Sequence, residues 1–352
     1  MIPANETLPS RPSFQLRDLD RVLLAIALLL AALAAFAPAQ LVASLRFLGS
    51  HFAGLAPLLV LSAALAAAIK ASGAEALVGR VFAGRERRAI AIAALAGALS
   101  PLCSCGVVPL IAGLLAGGVP LAPVMAFWLA SPVIDPAMFV LTVGAISLEF
   151  ALAKTLAAIA LGLFGGFATL ALARGGLFAD PLRDVDGGRR RAATLAEAER
   201  HAAVRWRFWQ DAVRAQVFLV SATTTTWNLG RLMALAFLLE SLMLAWVPAA
   251  SIAHWLGGSG GAAIPFAVLA GIPAYLNGFA AVPLIAGLIE LGMNPAVGLA
   301  FMVAGGVTSI PAALAVWGLV RPRVFALYLA LALAGSLGVA YAFAAWLALA
   351  GA

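Results

Sequence analysis

What most constrains this chain is the length of its apolar segments. Apolar runs occur at about 22–37, 52–70, 149–173, 227–247 and 324–350, and two longer blocks, 89–146 and 263–320, are apolar but interrupted by proline and glycine. A helix needs roughly 20 apolar residues to cross the hydrocarbon of a bilayer, where every backbone polar group must find its partner inside the protein. Of 352 residues, 64% are hydrophobic and only 11% charged, which leaves no stretch for an extramembrane globular domain. The expected fold is an all-α polytopic membrane protein. The formal charge of +7 comes from basic residues in short loops beside apolar segments, so it orients the chain and gives no support to nucleic-acid binding.

The N-terminus combines a charged start, an apolar run from Val22 to Phe36 and the small-residue stretch APAQ, which together resemble a secretion signal. The leader, however, is long and carries Glu6, Asp18 and Asp20 beside Arg11, Arg17 and Arg21. An uncleaved first helix with a cytoplasmic N-terminus is the expectation.

The heptapeptide VPLIAGL occurs at 108–114 and again at 282–288, an offset of 174 (282 − 108). In the same register AIAIAALAG from Ala89 faces AIPFAVLAG from Ala263, and AFWLA at 126 faces AFMVA at 300. Flanking matches in one register make a chance identity of Ala and Leu a poor explanation. The blocks 89–146 and 263–320 are therefore read as duplicated units, each preceded and followed by an uninterrupted helix. The loop before the first unit carries Lys70, Arg80, Arg85, Arg87 and Arg88, whereas its equivalent at 248–261 has no Lys or Arg. After the units the asymmetry reverses, with no basic residue at 147–149 but Arg321 and Arg323 after the second. By the positive-inside rule the two halves are inverted-topology repeats.

The expected organisation is an N-terminal segment with a first transmembrane helix (1–51), a first repeat (52–173), an Arg-rich cytoplasmic connection with an interfacial helix (174–224) and a second repeat (225–352). Within the connection, Trp206, Phe208 and Trp209 alternate with arginines, as in a helix lying on the membrane surface.

Both units break at corresponding places. Pro101, Gly106 and Pro109 face Pro273, Gly278 and Pro283, and SPVIDP at 131–136, with Pro132 and Pro136, faces GGVTSIP at 305–311, with Pro311. Proline removes a donor and strands carbonyls that hydrocarbon cannot satisfy, so broken transmembrane helices must line an enclosed or wet site. Paired breaks in inverted repeats point to a central transport site. Simple kinking for packing is the plainer alternative.

The segment PLCSCGVVPL, the spaced GGVPLAPVMAFWLASPVIDP and its second-half echo are similar to the bacterial predicted-permease family that includes the trivalent organoarsenical efflux permeases. The similarity covers most of 52–350 and is poor for 1–50 and 174–215. It implies an efflux permease of the bacterial inner membrane, with methylated arsenite, copper or zinc among the cargoes attributed to members, and a role in metal resistance.

Read on their own, Cys103 and Cys105 are soft ligands suited to Cu(I), Zn or trivalent arsenic. In a regular helix they would sit about 200° apart, so only an unwound segment turns both towards one solute. Two thiols match the two exchangeable positions of a methylarsenite species, whereas a closed zinc site wants four ligands. The other reading is that they are small residues easing helix contact. The thiols, with Ser104 between them, would face a thiol-free second copy at Asn277, and Ser131, Thr308 and Ser309 are further lining candidates at the second break. Among carboxylates in apolar segments, Asp135 is the first candidate for proton coupling or solute contact, ahead of Glu240 and Glu290. A helix cap is the alternative for Asp135, pairing with Arg231 or Lys70 for Glu240, and an interfacial position for Glu290.

The functional expectation is a permease exporting a small soft-metal or metalloid compound by proton-driven alternating access, not an enzyme, with no cofactor. Its partners are the lipid bilayer and the solute, with a homo-oligomer compatible. A copper or zinc permease, a permease for an uncharged organic solute and a membrane thiol oxidoreductase stand as alternatives. The last prefers one cysteine from each half, and both lie in the first.

Overall fold

The computed structural model describes residues 21–74, 85–100, 107–173, 178, 181–183, 204–246, 262–274 and 278–351. Apart from a 3-10 turn (Phe208–Gln210) and an isolated bridge between Leu182 and Val320, the described elements are α-helices. They are α1 (Arg21–Phe36), α2 (Pro38–Ser72), α3 (Glu86–Ala98), α4 (Val107–Ala116), α5 (Leu121–Ala130), α6 (Pro136–Ala145) and α7 (Leu148–Ala173). The second half holds α8 (Ala212–Trp246), α9 (Ala263–Ala274), α10 (Gly278–Glu290), α11 (Pro295–Thr308), α12 (Ile310–Leu319) and α13 (Pro322–Ala350).

Many of the prolines mark helix starts. Prolines occupy the first helical turn of α2, α6, α11, α12 and α13, where their missing N–H is one the helix would leave unpaired anyway. At its other end α2 stops at Gly73, whose φ of 74° lets its N–H turn back to the carbonyls of Ile69 and Lys70.

The helix bounds recur at the offset of 174. α2 and α8 are both 35 residues long and begin at 38 and 212. α6 and α12 are both 10 residues long and begin at 136 and 310, and α7 and α13 begin at 148 and 322. Packing repeats with them. A Cβ added at Gly97 of α3 would sit 2.8 Å from the Phe127 carbonyl oxygen of α5, and one at Gly271 of α9 would sit 2.7 Å from that of Phe301 in α11. These four residues correspond at the same offset, so each half packs α3, α5 and α7, or α9, α11 and α13, at backbone distance.

Equivalent helices pack against each other and run in opposite directions. Gln40 Nε2 of α2 donates to the Ser241 carbonyl of α8 at 3.5 Å, while at the other end Arg214 Nη1 of α8 donates to the carbonyls of Ala71 and Ser72 at 3.3 and 3.1 Å. Between α7 and α13, Gly335 sits on Leu161, Phe343 on Phe150 with ring centroids 6.1 Å apart, and Trp346 Nε1 donates to Glu149 Oε1 at 3.0 Å. Leu, Phe and Trp side chains such as Leu156, Phe164, Trp346 and Leu349 stand exposed along these two helices, as on a surface meant for lipid.

Among the described residues three segments are long and apolar enough to cross a bilayer, Leu148–Ala173, Pro295–Leu319 and Pro322–Ala350, and a fourth is a pair bent by 49°, Pro38–Gly54 with Leu59–Ser72. The helix before the first unit is thus bent, not the uninterrupted one expected. α2 also runs through the expected boundary at 51/52, and α8 through that at 224/225. Gln40, Arg46, Ser50 and His51 dilute the hydropathy of α2 without ending it, because none of them breaks the helical ladder. In the connection, the described residues 181–183 are tied to the α12–α13 junction. Arg183 N donates to Leu319 O at 2.9 Å, Arg321 N donates to Pro181 O at 3.0 Å, and the Arg183 guanidinium lies 4.8 Å from the centre of the Trp317 ring. The expected interfacial helix falls partly outside the described residues. Of its described part, 204–211 is irregular apart from the 3-10 turn, with Trp206 and Trp209 exposed, and the residues from Ala212 on are the start of α8.

Candidate functional site

The second pair of breaks lies at the centre of the bundle, and there the two halves touch. Between α5 and α6, residues 131–135 leave the helix, since Pro132 and Pro136 deprive it of donors and Asp135 starts the next helix. In the second copy the chain stays helical through Gly305–Gly306 to Thr308, and only Ser309 interrupts it before Ile310. The expected break over 305–311 is therefore a single residue. Only one proline, Pro311, falls there, and it sits in the first turn of α12. A Cβ added at Gly306 would lie 2.9 Å from the Pro132 carbonyl oxygen, so the absence of a side chain is what lets the first break rest against α11.

Around this contact polar side chains are buried. Ser131, Thr308 and Ser309 are almost fully enclosed; Thr308 Oγ1 donates to the Ala304 carbonyl at 2.8 Å, while Ser131 Oγ has no hydrogen-bond partner among the described residues. Tyr328 of α13 donates its hydroxyl to the Val307 carbonyl, just before the second break, and its ring stacks on Trp128 at 4.6 Å between centroids and 18° between planes. Tyr328 thus holds the second break from the long helix that follows it, and through Trp128 it ties that break to the first half. Tyr328→Phe is expected to lower stability by about 1–3 kcal/mol, because it strands a buried carbonyl, and a melting curve of the purified protein measures this.

Asp135 acts as the N-cap of α6: its Oδ1 accepts from Met138 N at 2.8 Å. The capping alternative is thus realised in this carboxylate's geometry. Above it sits a residue that sequence reasoning missed. Lys154 of α7 is 1% exposed, its Nζ donates to the Met138 Sδ at 2.9 Å, and the Asp135 carboxylate is within electrostatic reach of it. The signal was available: a lone lysine in the 26-residue apolar helix Leu148–Ala173 is as costly as a carboxylate and points to function for the same reason. At the offset of 174, Asp135 corresponds to Ser309 and Lys154 to Tyr328, so both copies place a polar group on the long helix beside the break.

The other candidates lie elsewhere. Cys103, Ser104, Cys105 and Asn277, with Pro101 and Gly106, fall outside the described residues. Pro109 is buried in the first turn of α4, Gly278 begins α10, Pro273 lies in α9 and Pro283 is exposed on α10. Glu240 and Arg231 are both buried on α8 and both make polar or electrostatic contacts. Pairing of Glu240 with Lys70 is excluded by the antiparallel packing, which puts Lys70 beside Arg214, 26 residues and roughly 39 Å of helix from Glu240. Glu290, the last residue of α10, is exposed. Among the described residues no three His, Cys, Asp or Glu side chains converge as a metal site.

Described residues that are almost entirely α-helical, with several long apolar helices among them, are built as a multi-pass membrane protein is built. The chain belongs to the predicted-permease family (ArsP_1), which it matches over residues 40–345. The UPF0718 protein YcgR of Bacillus subtilis (strain 168) is 35% identical over 80 residues, 23% of this chain and 27% of that protein's length. No solved structure matches. Membership bears out the similarity drawn from the Cys-Ser-Cys segment and points to a transporter rather than an enzyme.

Proposed function

We propose that this chain is an inner-membrane efflux permease for a small soft-metal or metalloid compound of the trivalent organoarsenical kind, working by alternating access between two inverted repeats. The observation that carries the reading is the contact between the corresponding breaks, Pro132 against Gly306, within a shell of buried Ser131, Thr308, Ser309 and Tyr328. A rocking motion of one half on the other would open this contact to either side in turn. The antiparallel course of α2 with α8 and of α7 with α13 supports inversion, because a two-fold axis along the membrane normal would leave equivalent helices parallel. In this reading Cys103 and Cys105 supply the soft ligands and Asn277 the facing amide. Asp135, with Lys154 beside it, carries the proton coupling, and the N-terminus is cytoplasmic.

The test is uptake of trivalent methylarsenite into everted membrane vesicles under an imposed proton gradient. The parent is expected to accumulate it and the Cys103→Ser, Cys105→Ser double variant to lose at least tenfold. Equal uptake by the two would sink dithiol recognition, and accumulation of Cu(I) or Zn instead would reassign the cargo.

A further inference from the structure

A groove also lies away from the helix breaks. A cavity of about 670 Å³ opens between α3 and the α4–α5 hairpin. Its walls are apolar, formed by Ile92, Leu114, Val119 and Phe127, and its mouth carries Arg85 and Arg88. Both arginines are exposed, and among the described residues neither guanidinium has a carboxylate or a hydrogen-bond acceptor. Beyond this mouth Leu95 of α3 and Leu99, just past its end, are exposed apolar side chains.

An occupant must therefore be amphipathic, with a negative head at the arginines and an apolar body reaching down the groove. We infer that this groove binds one anionic phospholipid, its phosphate between Arg85 and Arg88 and an acyl chain along Ile92, Leu114, Val119 and Phe127. The volume is within the ~300–1,000 Å³ of small-molecule sites. The placement is that expected of a lipid site: α3 is short, so its basic N-terminal end lies at headgroup level while the rest of it lies at the depth of the chains. Soluble anions satisfy only the mouth, and a zwitterionic lipid offsets its phosphate with its own ammonium. Glu86, next to Arg85, is outnumbered by Arg85, Arg87 and Arg88 and leaves this end of the helix basic. A lipid here braces α3 against α5, the helix that ends at the first central break.

The test is native mass spectrometry and thermal melting of the full-length protein in mild detergent. The added probes are phosphatidylglycerol, phosphatidylcholine with the same chains, and glycerol 3-phosphate. Phosphatidylglycerol is expected to remain bound through detergent washing and to raise the melting temperature. The other two are expected not to. Each arginine removed costs roughly a fivefold loss of affinity, so Arg85→Gln with Arg88→Gln is expected to lose on the order of 30-fold, while Arg323→Gln, an exposed arginine on α13, loses nothing. Ala93→Phe, which fills the groove from α3, is expected to displace the lipid with the arginines intact. Equal retention of phosphatidylcholine, binding of glycerol 3-phosphate as tight as that of the lipid, or undiminished phosphatidylglycerol in the double arginine variant overturns the inference. So does a dimer that Ala93→Phe dissociates, since a second copy would then be the occupant.

Discussion

Replacing Lys154 with methionine is expected to raise the melting temperature of the purified protein and, at the same time, to stop proton-driven export. The amine is fully buried in an apolar helix, and its hydrogen-bond acceptor among the described residues is the thioether of Met138, a weak partner for a charged ammonium. Desolvating such a charge costs several kcal/mol, and exchanging buried charges for apolar side chains of similar volume is commonly stabilising by about 1–4 kcal/mol. Methionine has nearly the same length and no charge, so it removes the cost without leaving a void. A group that lowers stability at the centre of a transporter and sits beside the Asp135 cap is best explained by work done during the transport cycle. Asp135→Asn separates the two roles of its carboxylate. Asparagine caps a helix about as well as aspartate, so α6 keeps its start, while Lys154 loses its counter-charge and stability falls. The double variant is then expected to regain the stability of Lys154→Met alone. Melting curves of the three variants, with methylarsenite uptake into everted vesicles beside them, decide the matter. Export unchanged in Lys154→Met would make the lysine incidental, and a loss of 3–5 kcal/mol would make its pairing with Asp135 purely structural.

The contrast between Lys154 and its counterpart shows what could be read from the chain before folding. Periodic breaks and a repeated heptapeptide placed corresponding helices at the offset of 174, and the helix bounds of α6 with α12 follow it residue for residue. Proline chemistry places a break at 131–135, between α5 and α6, and another over 305–311, where the chain leaves the helix only at Ser309. Gly305 and Gly306 stay within α11, which ends only at Thr308. At 51/52 and 224/225 the helices α2 and α8 run on, because hydropathy measures immersion, whereas helix bounds depend on backbone bonding. Asp135 was found from its sign and setting; Lys154 obeys the same rule and was overlooked because the search was confined to carboxylates. No local pattern could have announced the stack of Trp128 on Tyr328 or the approach of Pro132 to Gly306, which join residues 200 (328 − 128) and 174 (306 − 132) positions apart. Such contacts arise only when the two halves close on each other.

That closure rests on one missing side chain, so Gly306→Ala is expected to destabilise the protein by about 1–3 kcal/mol, the usual cost of forcing an extra methyl into a packed interior. The new methyl would stand 2.9 Å from the Pro132 carbonyl oxygen, and neither backbone can yield as a flexible side-chain tip would. The same substitution at Gly338, in the interior of α13 with no atom within 4 Å, is expected to do the opposite. There alanine relieves only the entropic penalty of glycine and stabilises by roughly 0.5–1 kcal/mol. Because the chemistry of the two changes is identical, their difference in melting temperature isolates the contact between the halves from helix propensity. Gly306→Val, with a larger and stiffer side chain, would hold the breaks apart throughout the cycle and is expected to abolish methylarsenite uptake while the helical circular dichroism stays that of the parent. Normal uptake by the valine variant would show that transport does not pass through this contact, and the central site would then have to be sought at the other pair of breaks, around Cys103, Cys105 and Asn277.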